Sequence, residues 1–201
     1  MGGNHSCGVT TAGAAYCWGL NAFAQIGDGT TGSINNRIVP TAVTGGLTFT
    51  RLSAASEHTC GITTGGETYC WGSNGSIRCY AGRIGNGTTV ASRPSPTLVV
   101  GGLVFTDIAT SGVFTCGRTA IGEVRCWGAN DTGQLGDGTF TSRTSPTPLS
   151  GGLTWDALGV GNFHGCAIRD AGRTFCWGQN SQGAVGDGTV ANREAPVPVR
   201  P

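Results

Sequence analysis

Phe114-Thr115-Cys116-Gly117-Arg118-Thr119-Ala120-Ile121-Gly122-Glu123-Val124-Arg125-Cys126-Trp127-Gly128 is the cleanest of four copies of one frame: a cysteine, nine residues, then Cys-Trp-Gly. The other copies run from Cys7 to Gly19, Cys60 to Gly72 and Cys166 to Gly178. Each keeps a glycine six residues after the first cysteine: Gly13, Gly66, Gly122 and Gly172. The spacing predicts a β-hairpin closed by a disulfide. A three-residue turn at Ala120-Ile121-Gly122 places glycine where the backbone must be left-handed, which glycine adopts without steric cost. Cys116 then lies opposite Cys126, with Cβ atoms roughly 4.5–5.5 Å apart, close to the separation a disulfide needs. Turns at Thr11-Ala12-Gly13, Thr64-Gly65-Gly66 and Asp170-Ala171-Gly172 give the same register. Zinc sites favour cysteine pairs separated by two to four residues, and no such pair occurs. The expected bonds are Cys7–Cys17, Cys60–Cys70, Cys116–Cys126 and Cys166–Cys176, leaving Cys79 unpaired.

Around each hairpin the same features recur in order. A double glycine opens a run of alternating apolar residues: Leu47, Phe49 and Leu52; Leu103, Phe105 and Ile108; Leu153, Trp155 and Leu158. Each hairpin ends in Trp-Gly-x-Asn, at Asn21, Asn74, Asn130 and Asn180. A Gly-Asp-Gly-Thr loop follows at Gly27, Gly136 and Gly186, with Asn86 replacing Asp in the second copy. An Arg-x-x-Pro element closes each unit, and its proline, lacking a ladder donor, marks an edge strand. First cysteines 53, 56 and 50 residues apart, with turn glycines and no helical period, indicate propeller blades. The predicted fold is all-β: about four blades of four short antiparallel strands in an incomplete, open ring. One repeat domain spans 1–201, with units near 1–44, 45–100, 101–150 and 151–201. The first unit lacks its opening strand. Insertions near Gly32–Asn36 and Ile77–Arg83 belong in loops on one rim.

The 201 residues include 37 Gly, and 12 basic residues stand against 11 acidic. So even a balance argues against nucleic-acid binding, which needs a basic face. No apolar run reaches the ~18 residues of a membrane helix. Four disulfides imply an oxidising, extracytoplasmic setting: periplasm, cell surface or medium. Met1-Gly2-Gly3-Asn4-His5-Ser6 has neither the basic start nor the apolar stretch of a secretory leader. The expectation is therefore a mature piece or fragment of a longer secreted chain. Asn4, Asn74, Asn86 and Asn130 match glycosylation sequons but occupy repeat positions with structural explanations of their own.

The Gly-Gly-Leu-x-Phe strand, the cysteine hairpin, Trp-Gly-x-Asn and Gly-x-Leu-Gly-Asp-Gly-Thr together resemble the regulator of chromosome condensation repeat, most closely its bacterial, cysteine-paired form. The resemblance covers essentially the whole chain and implies a propeller. It does not fix an activity, because its members include an exchange factor for a small GTPase and propeller-type inhibitors of β-lactamases. Full members carry seven blades, so this chain departs from the family in closure. Exchange activity is not expected of a chain stapled for an oxidising compartment.

His5, His58 and His164 share one repeat position, two before the first cysteine, which Phe114 fills in the third unit. A position that accepts His or Phe is a half-buried structural one, so no metal site is expected. Asp28, Asp137 and Asp187 supply one carboxylate per loop, too few for calcium, and are expected to bond their own turn or the Arg of their unit. Cys79 has Arg78 and Arg83 near it in sequence, but no positioned base. The stretch Ile77, Arg78, Cys79, Tyr80 and Arg83 is the candidate partner contact. No catalytic residue and no cofactor are expected. The functional expectation is a non-enzymatic extracytoplasmic protein-binding or scaffold module, possibly an accessory subunit of a larger assembly. The alternatives are an inhibitor of a secreted or periplasmic enzyme, and an enzyme using Cys79 or His58. An open arc leaves two apolar end faces, which another protein, a second copy or further blades must cover.

Overall fold

Glycine turns break the sequence into short alternating runs, and those runs fold as strands. The computed structural model describes residues 2–75, 81–90 and 92–200. Among these, the first sheet contains β1 (His5–Val9), β2 (Ala15–Gly19) and β3 (Arg37–Ala42). The second contains β4 (Phe49–Ala54), β5 (His58–Thr63), β6 (Thr68–Ser73) and β7 (Ser92–Leu98). The third contains β8 (Phe105–Thr110), β9 (Phe114–Thr119), β10 (Val124–Gly128) and β11 (Arg143–Pro148). The fourth contains β12 (Ala157–Val160), β13 (His164–Arg169), β14 (Arg173–Gly178) and β15 (Arg193–Pro198). Each sheet is an antiparallel meander, and its proline-bearing last strand lies at one edge. The first sheet has three strands, because the unit has no opening strand. A single turn of 3-10 helix, Ser33–Asn35, occupies the first insertion.

The hairpins form in the expected register. Cys116 faces Cys126, Gly122 has φ +83°, and its N–H donates to the Thr119 carbonyl at 3.0 Å. Disulfides join Cys7 to Cys17, Cys60 to Cys70, Cys116 to Cys126 and Cys166 to Cys176, each across a Cα separation of 4.1 Å. That separation belongs to the narrow, non-hydrogen-bonded pairs of an antiparallel ladder.

The opening strands differ from expectation. Gly-Gly-Leu forms a bend, and strand pairing begins only at Phe49, Phe105 and Ala157. Plain alternation would send Phe49 and Leu52, three apart, to opposite faces. A bulge between Phe49 and Arg51, repeated between Phe105 and Asp107, returns them to one face. Phe49, Phe105 and Trp155 are accordingly buried, with Ile108; Leu52 and Leu158 are half-buried.

Successive sheets stack face to face: β1 on β4, β5 on β8, and β12 on β8 and β9. The core is thus three seams, each built on a pair of aromatic rings. Phe49 meets Trp71 and Phe105 meets Trp127 at 5.8 Å between centroids, and Trp155 meets Trp177 at 6.4 Å. Ile26, Ile84 and Leu135 from the preceding unit's loop fill beside them. Burying such side chains is worth about 1.5–3 kcal/mol each, so most of the stability lies between units.

Candidate partner-binding faces

Asn21, Asn74, Asn130 and Asn180 are buried at the end of each hairpin. Their Oδ1 atoms accept from the backbone N–H of Ile26, Ile84, Leu135 and Val185 at 2.9–3.1 Å. Their Nδ2 groups donate to the carbonyls of Thr30, Thr88, Thr139 and Thr189. With both ends of the amide engaged, Asn74 and Asn130 are structural and closed to glycosylation. Asp28, Asp137 and Asp187 bind the Thr two residues on and the Arg of the same unit; Asp137 meets Arg143 at 2.8 Å. Burial raises the pKa of these carboxyls, but the hydrogen bonds from Thr and Arg outweigh it, and Asp187 falls to about 2. Asn86 in the second unit keeps the bond to Thr88 and has no charge to offer Arg93, which instead donates to Thr88.

This clamp aims one loop carbonyl per unit at the next unit. Gln25 O accepts from Trp71 Nε1 at 3.0 Å and from Thr59 Oγ1 at 3.0 Å. Arg83 O accepts from Trp127 Nε1 at 3.0 Å and Thr115 Oγ1 at 3.2 Å. Gln134 O accepts from Trp177 Nε1 at 3.0 Å. Both lone pairs of the first two carbonyls are therefore used across the seam.

The histidines complete the same arrangement. His5 Nε2 lies 2.8 Å from Thr59 Oγ1, and His58 Nε2 lies 2.9 Å from Thr115 Oγ1. Each Thr has already given its one hydrogen to a carbonyl, so Nε2–H must donate and the ring is neutral. Burial agrees, pushing His5 down to about 4 and His58 well below its ordinary value. In the third unit Phe114 replaces His, and Gly165 stands where Thr would accept. The histidines are thus separate structural donors, not a shared centre. Among the described residues no group of three or more His, Cys, Asp or Glu side chains is placed to hold a metal.

The candidate contact at the second insertion fares differently. Ile77, Arg78, Cys79 and Tyr80 lie outside the described residues. Arg83, expected at the surface, is only 4% exposed. Its guanidinium donates to Glu57 at 3.0 Å and to the Gly112 carbonyl at 2.9 Å, tying the second unit to the third. Its charge is inside because a carboxylate and a carbonyl satisfy it there, which sequence adjacency to Cys79 did not reveal. The seam residues Thr59 and Thr115 went unnoticed in the sequence. Their signal was present: Ser6, Thr59 and Thr115 each follow the His or Phe position.

At the ends of the series the seam groups lack a neighbour of this kind. In the fourth unit Ala184 stands where Gln25, Arg83 and Gln134 stand. A Cβ added at Gly27, Gly85 or Gly136 would meet the next unit's Trp ring at 2.6–2.8 Å, whereas at Gly186 it meets only Val199. A Cβ at Gly82 or Gly133 would strike the next unit's backbone at 2.6–2.7 Å, whereas at Gly183 it meets nothing within 4 Å. His164 is half-buried, unlike His5 and His58. On the first unit Trp18 is half-buried, whereas Trp71, Trp127 and Trp177 are fully buried. Gly8 is open, whereas Gly61 and Gly117 are covered by Phe49 and Phe105. Beside Trp18's strand, Ile38 is 95% exposed.

Comparison with known proteins follows these features. The family described as the regulator of chromosome condensation (RCC1) repeat matches residues 1–25, 49–77, 105–134 and 155–184, and a second model of the same repeat matches 122–168. The human E3 ubiquitin-protein ligase HERC2 is 32% identical over 143 residues, which is 68% of this chain and 3% of that one. Human WBSCR16 superposes with a TM-score of 0.86 at 22% identity, covering all of this chain and 52% of that one. Yeast RCC1 (Prp20), solved bound to Kap60, superposes at 0.85 with 19% identity, over all of this chain and 47% of that one. The chain spans about half of those two structures and 3% of HERC2.

Proposed function

This chain belongs to the regulator of chromosome condensation repeat family, and on that premise we propose that it is a non-enzymatic protein-binding module working in an extracytoplasmic setting. The observation that carries the reading is the pair of end faces. Three internal seams satisfy every part of a recurring pattern of indole, hydroxyl and carbonyl, and the same pattern recurs unsatisfied at Trp18 on one end and Ala184 on the other. Aromatic and backbone groups held rigidly on a sheet are the usual substance of a protein interface. Ile34 and Ile38, 94% and 95% exposed, add an apolar patch beside the first face. The relative seen bound to Kap60 supports protein recognition as the use of such a fold. Four hairpin disulfides support an oxidising compartment, where they persist. A rigid stack presenting two faces suits a scaffold within a larger assembly.

The test is site-specific photo-cross-linking in the native fluid from positions 38 and 184, with the exposed hairpin tip Ile121 as control. The expected result is a discrete cross-linked protein from the two end positions and none from position 121. Equal labelling from all three positions, or none, contradicts the reading.

A further inference from the structure

The two end faces are the two halves of one seam. We propose that the 201-residue chain pairs with a second copy of itself, head to tail, the fourth unit of each copy packing on the first unit of the other. The inference rests on the protein-binding reading above and names the partner.

The internal seams serve as a template, and each of its contacts has a matching pair on the two ends. Trp18 occupies the position of Trp71, Trp127 and Trp177, whose indole N–H groups reach the preceding unit's loop carbonyl at 3.0 Å. The carbonyl for Trp18 is that of Ala184, and the space for its ring is the one above Gly186. Ser6 carries the hydroxyl that Thr59 and Thr115 supply elsewhere. It would donate to the Ala184 carbonyl and accept from His164, as Thr59 does between Gln25 and His5. The third contact is backbone to backbone. Gly29, Gly87 and Gly138 N–H groups donate to the carbonyls of Pro94, Thr144 and Glu194 in the next unit at 2.7–2.9 Å. The corresponding donor on the fourth unit is Gly188, and the corresponding acceptor on the first is Ile38.

Donors and acceptors thus match without a like-for-like clash. The contact is heterologous, the fourth-unit face against the first-unit face, so it closes only if the rotation per copy divides a full turn. The arc overlays 52% and 47% of two longer propeller chains, so two copies make up a comparable length. Two such contacts around one twofold axis use all four faces. The missing opening strand leaves Gly8 and Gly172 uncovered at each junction, a gap the internal seams do not have.

The experiment is sedimentation velocity with light scattering on the full chain, over a wide concentration series, with disulfides intact. The expected species are one chain and two. A single chain at every concentration, or species larger than two, overturns the proposal. Trp18→Ala removes the first-unit face and Gly183→Arg fills the fourth-unit face, and melting curves check that both remain folded. Each variant alone should associate at least about tenfold more weakly than the parent. Mixed in equal amounts they should form a one-to-one pair, because each retains the face the other lacks. Self-pairing of either variant at parental strength, or no pairing in the mixture, overturns the head-to-tail contact. If the chain stays single while cross-links from positions 38 and 184 capture another protein, self-pairing fails and the binding reading stands. If both fail, both are wrong.

Discussion

His58 shows how one side chain can hold two sheets in register without performing chemistry. Its ring is fully buried and neutral, its Nε2–H donates to Thr115, and Thr115 passes its own hydrogen to Arg83 O. Thr115→Val keeps the shape and removes both bonds. It leaves a buried N–H and half a carbonyl without a partner, so the expected loss is roughly 1–3 kcal/mol in a denaturant titration. A loss within error of zero would show that the hydroxyl is not part of the seam. The buried imidazoles also set a pH dependence. Their folded pKa values lie below the unfolded value near 6.5, at about 4 for His5 and lower than ordinary for His58. Above pH 6.5 both states are neutral and nothing changes. Below it the unfolded chain takes up protons that the folded chain refuses, so stability falls. Between pH 6.5 and 5 the loss for His5 is roughly 2 kcal/mol, and His58 adds in the same direction. Melting temperatures that stay level across this range would contradict the neutral, buried assignment. The depressed Asp28, Asp137 and Asp187 act later, their stabilisation being lost only as pH falls through values below 3.8.

At the scale of the element, the hairpin and the opening strand do different work. The hairpin is local: its turn glycine, its facing cysteines and its closing Trp lie within fifteen residues, and for that reason the sequence displayed it openly. Replacing Cys116 and Cys126 together by Ser releases a short loop, and the chain-entropy treatment puts the cost on the order of 2–3 kcal/mol. A reduced but equally stable double variant, read by thermal melting, would contradict this. The opening strand acts across units. Phe105 covers Gly117 and meets Trp127 of its own sheet, in a cluster that takes Ile84 from the unit before. Phe105→Ala should cost roughly 3–5 kcal/mol. A loss below about 1 kcal/mol would mean the ring is not in the seam. The bulge that aims Phe49 and Leu52 to one side was not legible, since an extra residue in one strand leaves the apolar spacing ambiguous between two phases. The His–Thr bonds were hidden for another reason: their partners are 54 and 57 residues apart and meet only after the sheets stack. Arg83 misled in the same way, its sequence neighbours pointing to an exposed insertion and its three-dimensional neighbours, Glu57 and Gly112, holding it inside.

The whole molecule is a stack in which each unit is completed by the next, so the first and last units present what the inner ones conceal. The repeat period, the disulfide frame and the three-stranded first unit could all be read from the chain in order. Which groups the ends expose could not, because that depends on the seam geometry, and the seam becomes visible only when a loop carbonyl is seen meeting the Trp of the following unit. Four tryptophans report on that geometry directly. Trp71, Trp127 and Trp177 donate their indole N–H across a seam, and Trp18 has the same sequence frame at the open end. The decisive measurement is hydrogen exchange at the indole Nε1–H groups, followed by NMR on a dilute sample with each resonance assigned by substitution. The account predicts slow exchange at Trp71, Trp127 and Trp177 and fast exchange at Trp18, with Trp18 slowing as concentration rises. Protection of Trp18 equal to the other three in the dilute chain, or exchange at all four as fast as at Trp18, would contradict it.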